Sequence, residues 1–199
     1  MTINGKTTTL TSDDERARGS AHSPVLLAAL LAAGNGVFPT GLLLTRAANG
    51  DLNPLEVVAG EVLATGDGAT TAFAAVLAAG LPVEPGTVSV SDGVETFADD
   101  GFGRLTGDAG GSGTVNYGTG AVSVTFNANV GDGTDIVVGY TTAVNGVLDV
   151  AVDTDEDGSG VYIRHGSVIA STLKVGAVEK AAPSVALLAL MADRGIFAE

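Results

Sequence analysis

The residues of this chain that could do chemistry are mostly carboxylates. The sharpest spacing is Asp153-Thr154-Asp155-Glu156-Asp157-Gly158. Alternate carboxylates followed by glycine match the first half of a calcium loop, because each Asp can point one oxygen inward while the glycine makes the turn. Asp153, Asp155 and Asp157 are therefore weak calcium candidates. The second half of the pattern is missing. Arg164 stands at the twelfth position, where a bidentate Glu belongs, and no helix is expected before the loop. The same residues also read as a solvated acidic turn between two strands. Asp99-Asp100-Gly101 is a second acidic turn, without a third ligand in view. We expect no metal and no cofactor.

Other chemistries lack their parts. The two histidines, His22 and His165, have no second His at ligand spacing. His165 sits in an alternating stretch and reads as an exposed or hydrogen-bonded strand residue. No GxSxG elbow is present. None of the three lysines, Lys6, Lys174 and Lys180, follows a glycine-rich loop, which removes a Walker-type phosphate cradle. Gly107-Asp108-Ala109-Gly110-Gly111-Ser112-Gly113 reads as a strand connector, since no helix pattern follows it. Cysteine is absent, so thiol chemistry, disulfides and zinc fingers are excluded. Paired carboxylates could serve glycoside hydrolysis, but sugar sites usually add aromatic platforms, and aromatics are only 5% of the chain. The expectation is a protein that is not an enzyme.

The elements that position these residues are read from pattern. The chain has 199 residues, 45% of them hydrophobic, enough for a real core. Its 29 glycines suit many tight turns between small-residue strands. With 9 Lys and Arg against 23 carboxylates the net charge is −14. That balance opposes nucleic acid and anionic membrane surfaces as partners. Between residues 60 and 142, Arg104 is the one base against ten carboxylates. That stretch reads as an acidic module facing outward.

Residues 1–23 are polar and Thr-rich, with little to bury, and read as an extended arm. Pro24 to Ala33, PVLLAALLAA, predicts a short helix capped by Ser23 and stopped by Gly34. It is about half the length of a membrane span. A signal-peptide reading is disfavoured by the long, acidic stretch before it. Strands are expected at 42–46 and near 55–59, around a turn at Asn49-Gly50-Asp51. Six more are expected at 71–77, 87–91, 94–97, 113–117, 121–126 and 135–141, where Val122, Val124 and Phe126 alternate with polar residues. They predict a β-sandwich. Beyond it, strands are expected at 147–152, 161–165 and 168–175, with a tight turn at Gly166. A helix from Ser184 to Arg194, closed by Gly195, looks apolar nearly all round and should be buried in the core or against another subunit.

Read without 60–142, the two flanks show a resemblance. Pro39-Thr40-Gly41-Leu42-Leu43-Leu44 and Asn49-Gly50-Asp51-Leu52 are followed by Val161-Tyr162-Ile163-Arg164-His165-Gly166-Ser167-Val168, Leu173 and Leu190-Met191-Ala192-Asp193-Arg194-Gly195-Ile196. This resembles the lambda-type phage head decoration proteins, over roughly 115 residues in two pieces. The chain departs from that family by its large insertion and by the helix expected at 24–33. The insertion is itself similar to a β-module that recurs in phage tail, baseplate and capsid-surface proteins, through Gly66-Asp67-Gly68, Pro85-Gly86, Asp99-Asp100-Gly101-Phe102-Gly103 and Gly113 to Gly120.

The resemblance implies a mainly β fold with short helices, a barrel-like decoration domain carrying an inserted immunoglobulin-like β-sandwich. It implies three parts: a capsid-binding arm at 1–23, a discontinuous base at 24–59 and 143–199, and the insert at 60–142. It further implies a structural virion protein, made in the host cytoplasm, on the outer surface of an expanded capsid. Such a protein sits as a homotrimer at three-fold positions and stabilises the shell against DNA pressure. The major capsid protein is the implied partner, with no nucleic acid and no membrane. Thr2, Ile3, Lys6, Thr7, Thr8, Thr9 and Leu10 are then candidates for capsid contact, and Leu188, Met191, Ile196 and Phe197 for trimer contact. The alternative is a tail- or fibre-associated adhesion protein whose β-module binds glycan or a host surface. Tyr117, Phe102 and Asn127 are the residues it would use.

Overall fold

A computed structural model describes residues 15–178 and 180–199. The described chain is mainly β, as expected, and divides into a base and an inserted barrel. The base opens with β1 (Val25–Leu30), β2 (Val37–Phe38), β3 (Leu43–Arg46) and β4 (Leu52–Pro54). The insert supplies β5 (Val57–Thr65), β6 (Ala72–Val76), β7 (Ser89–Ser91), β8 (Thr96–Asp99), β9 (Arg104–Gly107), β10 (Ser112–Val115), β11 (Ala121–Thr125) and β12 (Asp135–Thr141). The base resumes with β13 (Gly146–Leu148), β14 (Val152–Asp153), β15 (Ser159–Val168), α1 (Val185–Asp193) and β16 (Ile196–Ala198).

The base sheet runs β1-β15-β13-β3-β4, with β16 added in parallel to the far part of β15. Its central strands bury both faces. Leu43, Val147 and Ile163 point into one core, under α1, with Leu187, Met191 and Ile196. Their neighbours Leu42, Leu44, Leu148 and Tyr162 point into a second core with Phe38 and Leu52. Period-two side-chain alternation places adjacent residues in opposite cores, so these strands read as near-continuous apolar runs.

The insert alternates more plainly. Val122 and Val124, and Ile136, Val138 and Tyr140, face a core in which Phe126 meets Phe97 edge-on at 4.9 Å between centroids. Its eight strands form one antiparallel sheet, β5-β12-β7-β8-β9-β10-β11-β6. The sheet curls until β5 and β6 lie beside each other, giving a nearly closed barrel where an immunoglobulin-like pairing of two sheets is expected. The insert's sheet begins at Val57 and ends at Thr141, so the strand expected near 55–59 is the start of β5. Strand β9 has no counterpart among the strands expected from pattern.

Four further expectations are corrected. Pro24–Ala33 contributes a strand, β1, not a helix. The exposed side of β15 is filled by six residues of this segment, and that pairing overrides the helix preference of Leu and Ala. The tight turn at Gly166 does not occur. β15 runs through it with φ of +117°, and a side chain there would strike Pro24. The strand ends at Val168, and residues 170–172 form a single 3-10 turn in place of a strand over 168–175. The stretch 147–152 splits into β13 and β14. The terminal helix has the expected bounds: Ser184 Oγ accepts from Leu187 N at 3.2 Å, and Gly195 closes it with φ of +79°. Only Leu187 and Met191 of this helix are buried, and Val185 is exposed.

Barrel and base join at a narrow neck. Thr142 N donates to Glu56 O, and Glu56 N to Thr142 Oγ1, both at 2.9 Å. Beside this clasp, buried Glu84 of the barrel accepts from Arg194 at the end of α1 and from Val144 N of the base.

Candidate interaction surface

The carboxylates that drew attention in the sequence are engaged in holding turns. Asp153 Oδ1 accepts from Asp155 N at 3.1 Å, and Asp155 Oδ1 lies 3.4 Å from Gly36 N. The two thus cap separate backbone turns. Asp157 joins neither, and no group of three metal-binding side chains is brought together among the described residues. Asp99 is fully occupied, by Tyr117 OH at 2.6 Å, Gly101 N at 3.0 Å and Gly86 N at 2.7 Å. Asp100 accepts from Phe102 N and Arg104 N. Glu95, buried, accepts from Gly111 N and Asn127 N. Glu61 of β5 reaches Ala78 N, Ala79 N and Tyr140 OH, and so draws β5 towards the end of β6. A carboxylate that accepts backbone N–H groups offers those lone pairs to nothing else.

These bonds shift the titrating groups. The Ala69 and Thr70 amides and the Thr70 hydroxyl hold Asp67 below the usual carboxylate range. The Ser20 and Ala21 amides do the same for Glu199. Burial, reinforced by the bond to Asp99, pushes the Tyr117 phenol up to about 12. Tyr140 is raised by burial and by Glu61.

The arm read at 1–23 is divided by the structure. Residues 15–23 belong to the base. Ala17 is fully buried in the α1 core, with its N–H on Asp149 O at 3.0 Å. Asp149, whose side chain is 0% exposed, takes Arg16 at 3.2 Å and Arg18 at 2.9 Å on the same oxygen. Gly19 N donates to Ser167 O, His22 N to Ser167 Oγ, and Ser20 N and Ala21 N to Glu199. Sequence reading gave Asp149 no role. The signal was a lone carboxylate at the end of an apolar strand, with two arginines in a polar arm to meet it. The capsid-contact candidates Thr2, Ile3, Lys6, Thr7, Thr8, Thr9 and Leu10 lie outside the described residues.

The trimer candidates separate. Met191 and Ile196 are fully buried within the chain, so neither can touch a second copy. They are drawn inward because α1 and β16 close the core over β15. Leu188 is half-buried against the same core, and Phe197 is exposed beside His22 at 5.4 Å and His165 at 6.3 Å. The apolar surface that α1 does offer is Val185, Ala186 and Ala189, next to Val57 of β5 across a groove. Of the adhesion candidates, Phe102 and Tyr117 share one end of the barrel, where Gly103 N donates to Tyr117 OH at 2.7 Å, and Asn127 stands apart from them. Phe102 is 94% exposed at the neck end of the barrel, Tyr117 is held by Asp99, and Asn127 lines a groove at the opposite mouth.

Apolar side chains are also exposed at the edge of the base. β1 ends its sheet and exposes Val25, Leu27 and Leu30, with Val161 of β15 beside them. No protein-family model matches this chain, and no curated protein or solved structure is similar to it.

Proposed function

We propose that the chain is a non-enzymatic structural protein of a phage virion, as its resemblance to lambda-type head decoration proteins implies. On this reading it binds the outer surface of an expanded capsid as trimers at three-fold positions and stabilises the shell against DNA pressure. The observation that carries the proposal is the anchoring of residues 15–23. A segment rooted in the core through Ala17, and tied to buried Asp149 through two arginines, transmits a pull on residues 1–14 directly to the base sheet. A clamp bridging capsid subunits needs such a load path. Residues 1–14 carry the capsid contact on this reading, and many copies make modest site affinity effective. The barrel stands off the base on its neck, and its carboxylates keep particles dispersed.

The test is co-sedimentation of the purified chain with expanded, DNA-free capsid shells, followed by heating of the shells. Binding with a higher shell disruption temperature is expected. Binding should be lost without residues 1–14 and kept without 57–141. No binding at any salt concentration overturns the proposal. Binding that survives loss of 1–14 but needs the barrel gives the adhesion reading.

A further inference from the structure

We propose that the groove between α1 and β5 receives Phe102 of a second copy of this chain. The starting observation is an aromatic side chain with nothing over it. Phe102 is 94% exposed, and no described ring lies against it. Its turn is nevertheless fixed. Asp100 Oδ1 accepts from Phe102 N at 2.8 Å and from Arg104 N at 3.1 Å, and Asp99 Oδ1 accepts from Gly101 N at 3.0 Å. Gly101 and Gly103 supply the positive φ, +80° and +91°, that this shape requires. A side chain presented on a turn already held costs little to order in a contact, and aromatic anchors of this kind dominate protein interfaces.

The groove is the complementary feature. It encloses about 480 Å³ between Val57 of β5 and Ala186, Leu187, Ala189 and Leu190 of α1. Val57 is 54% exposed. The two alanines leave space for a ring between helix and strand. The chain's own Phe102 does not fill that space, although knob and groove adjoin. Gly86 lines the groove and donates to Asp99 Oδ2 at 2.7 Å, at the start of the turn that carries Phe102. Each copy therefore offers one knob and one groove side by side, and both contacts gather around the axis of the assembly.

Charge selects the occupant. Asp193 is the one charged residue that lines the groove, and Arg104 is the one base of the barrel, two positions from Phe102. Both are exposed, and neither has a salt-bridge partner among the described residues. Ala186, Ala189 and Asp193 share a helix face at i, i+3 and i+7. From Ala189 to Asp193 the helix rises about 6 Å, and two residues of chain reach at most about 7 Å. A ring seated beside Ala189 thus brings Arg104 to Asp193. This inference deepens the trimer reading and takes from it only the number of copies. The shell contact at residues 1–14 is separate from it.

The test begins with the native mass of the purified full chain in about 0.15 M salt, where repulsion between copies of charge −14 is screened beyond roughly 8 Å. The mass should be a multiple of 19.6 kDa and fall to 19.6 kDa in Phe102→Ser, with Tm of the chain unchanged because that side chain is outside every core. Asp193→Arg should weaken association about tenfold, and adding Arg104→Asp should restore it. A cation at that helix end is compatible with folding. Because the chain has no cysteine, Phe102→Cys and Ala189→Cys can be made as separate proteins, mixed and oxidised. A disulfide between the two variants, formed faster in the mixture than in either alone, is expected. A monomeric native chain, an oligomer that Phe102→Ser leaves intact, no restoration by the second charge reversal, or no faster cross-linking in the mixture overturns the proposal. A dimer that depends on Phe102 supports this contact and overturns the trimer. Shell binding is measured separately, so its failure overturns the capsid reading alone.

Discussion

The acidic side chains of this protein are structural acceptors. Asp67, Asp92, Asp99, Asp100, Glu95 and Glu61 each take backbone N–H groups that a turn would otherwise leave open. The sequence shows where carboxylates cluster. It does not show whether their oxygens converge, because that depends on backbone torsions inside each turn. So the spacing of Asp153, Asp155 and Asp157 was legible, and their divergence was not. Titration is governed by the same bonds. A carboxyl held low in the folded state adds stability that is complete above its unfolded value, about 4, and is lost as pH falls through the lowered value. Asp67→Asn should therefore flatten the acid limb of stability against pH, read from denaturant midpoints. Tyr117 acts at the other end. Its raised phenol adds stability that is full below about 10 and lost as pH climbs towards 12, so Tyr117→Phe should flatten the alkaline limb. Asp149 gives an asymmetric prediction. Replacing both Arg16 and Arg18 by Gln leaves a buried carboxylate unpaired and should cost about 3–5 kcal/mol. Asp149→Asn instead releases two half-exposed arginines to water and should cost distinctly less in the same urea titration.

At the scale of elements, the barrel strands were easier to read than the base. Val122 and Val124, or Ile136, Val138 and Tyr140, alternate with exposed neighbours because one sheet face meets water. Leu42-Leu43-Leu44 and Pro24–Ala33 offer no such contrast. The first is buried on both faces, and the second holds residues with helix preference that a neighbouring strand edge captures. Helix α1 was legible to within a residue, since its serine cap and terminal glycine act locally. Closure of the barrel was not, as it brings together strands adjacent in sequence but not hydrogen-bonded to each other, which Glu61 links through its carboxylate. Glu61→Ala should remove that link, cost about 1–3 kcal/mol, and speed amide exchange at Ala78 and Ala79 ahead of the rest of the barrel.

At the scale of the whole molecule, the division into base and insert was visible as a change of texture near Gly60 and again near Thr142, within a few residues of the ends of β5 and β12. The attachment of 15–23 to the base was not visible, because a polar arm with little to bury looks free until its partner across 133 positions is known. Replacing 57–141 by a short turn should leave the base folded. Its two cores contain no barrel residue, and the clasp between Glu56 and Thr142 already brings the cut ends together. A single cooperative thermal transition of the shortened chain, with base amides still protected, is the expected outcome. A molten or aggregated product would mean that the Glu84–Arg194 contact is needed to hold α1 in place.

The neck also bears on how such a chain could change over generations. Two residues that meet as closely as Glu56 and Thr142 mark a place where a gene can gain or lose a whole cassette without disturbing the reading of the base. Any foreign domain with similarly close termini, an enzyme or an antigen included, could be mounted there in place of the barrel.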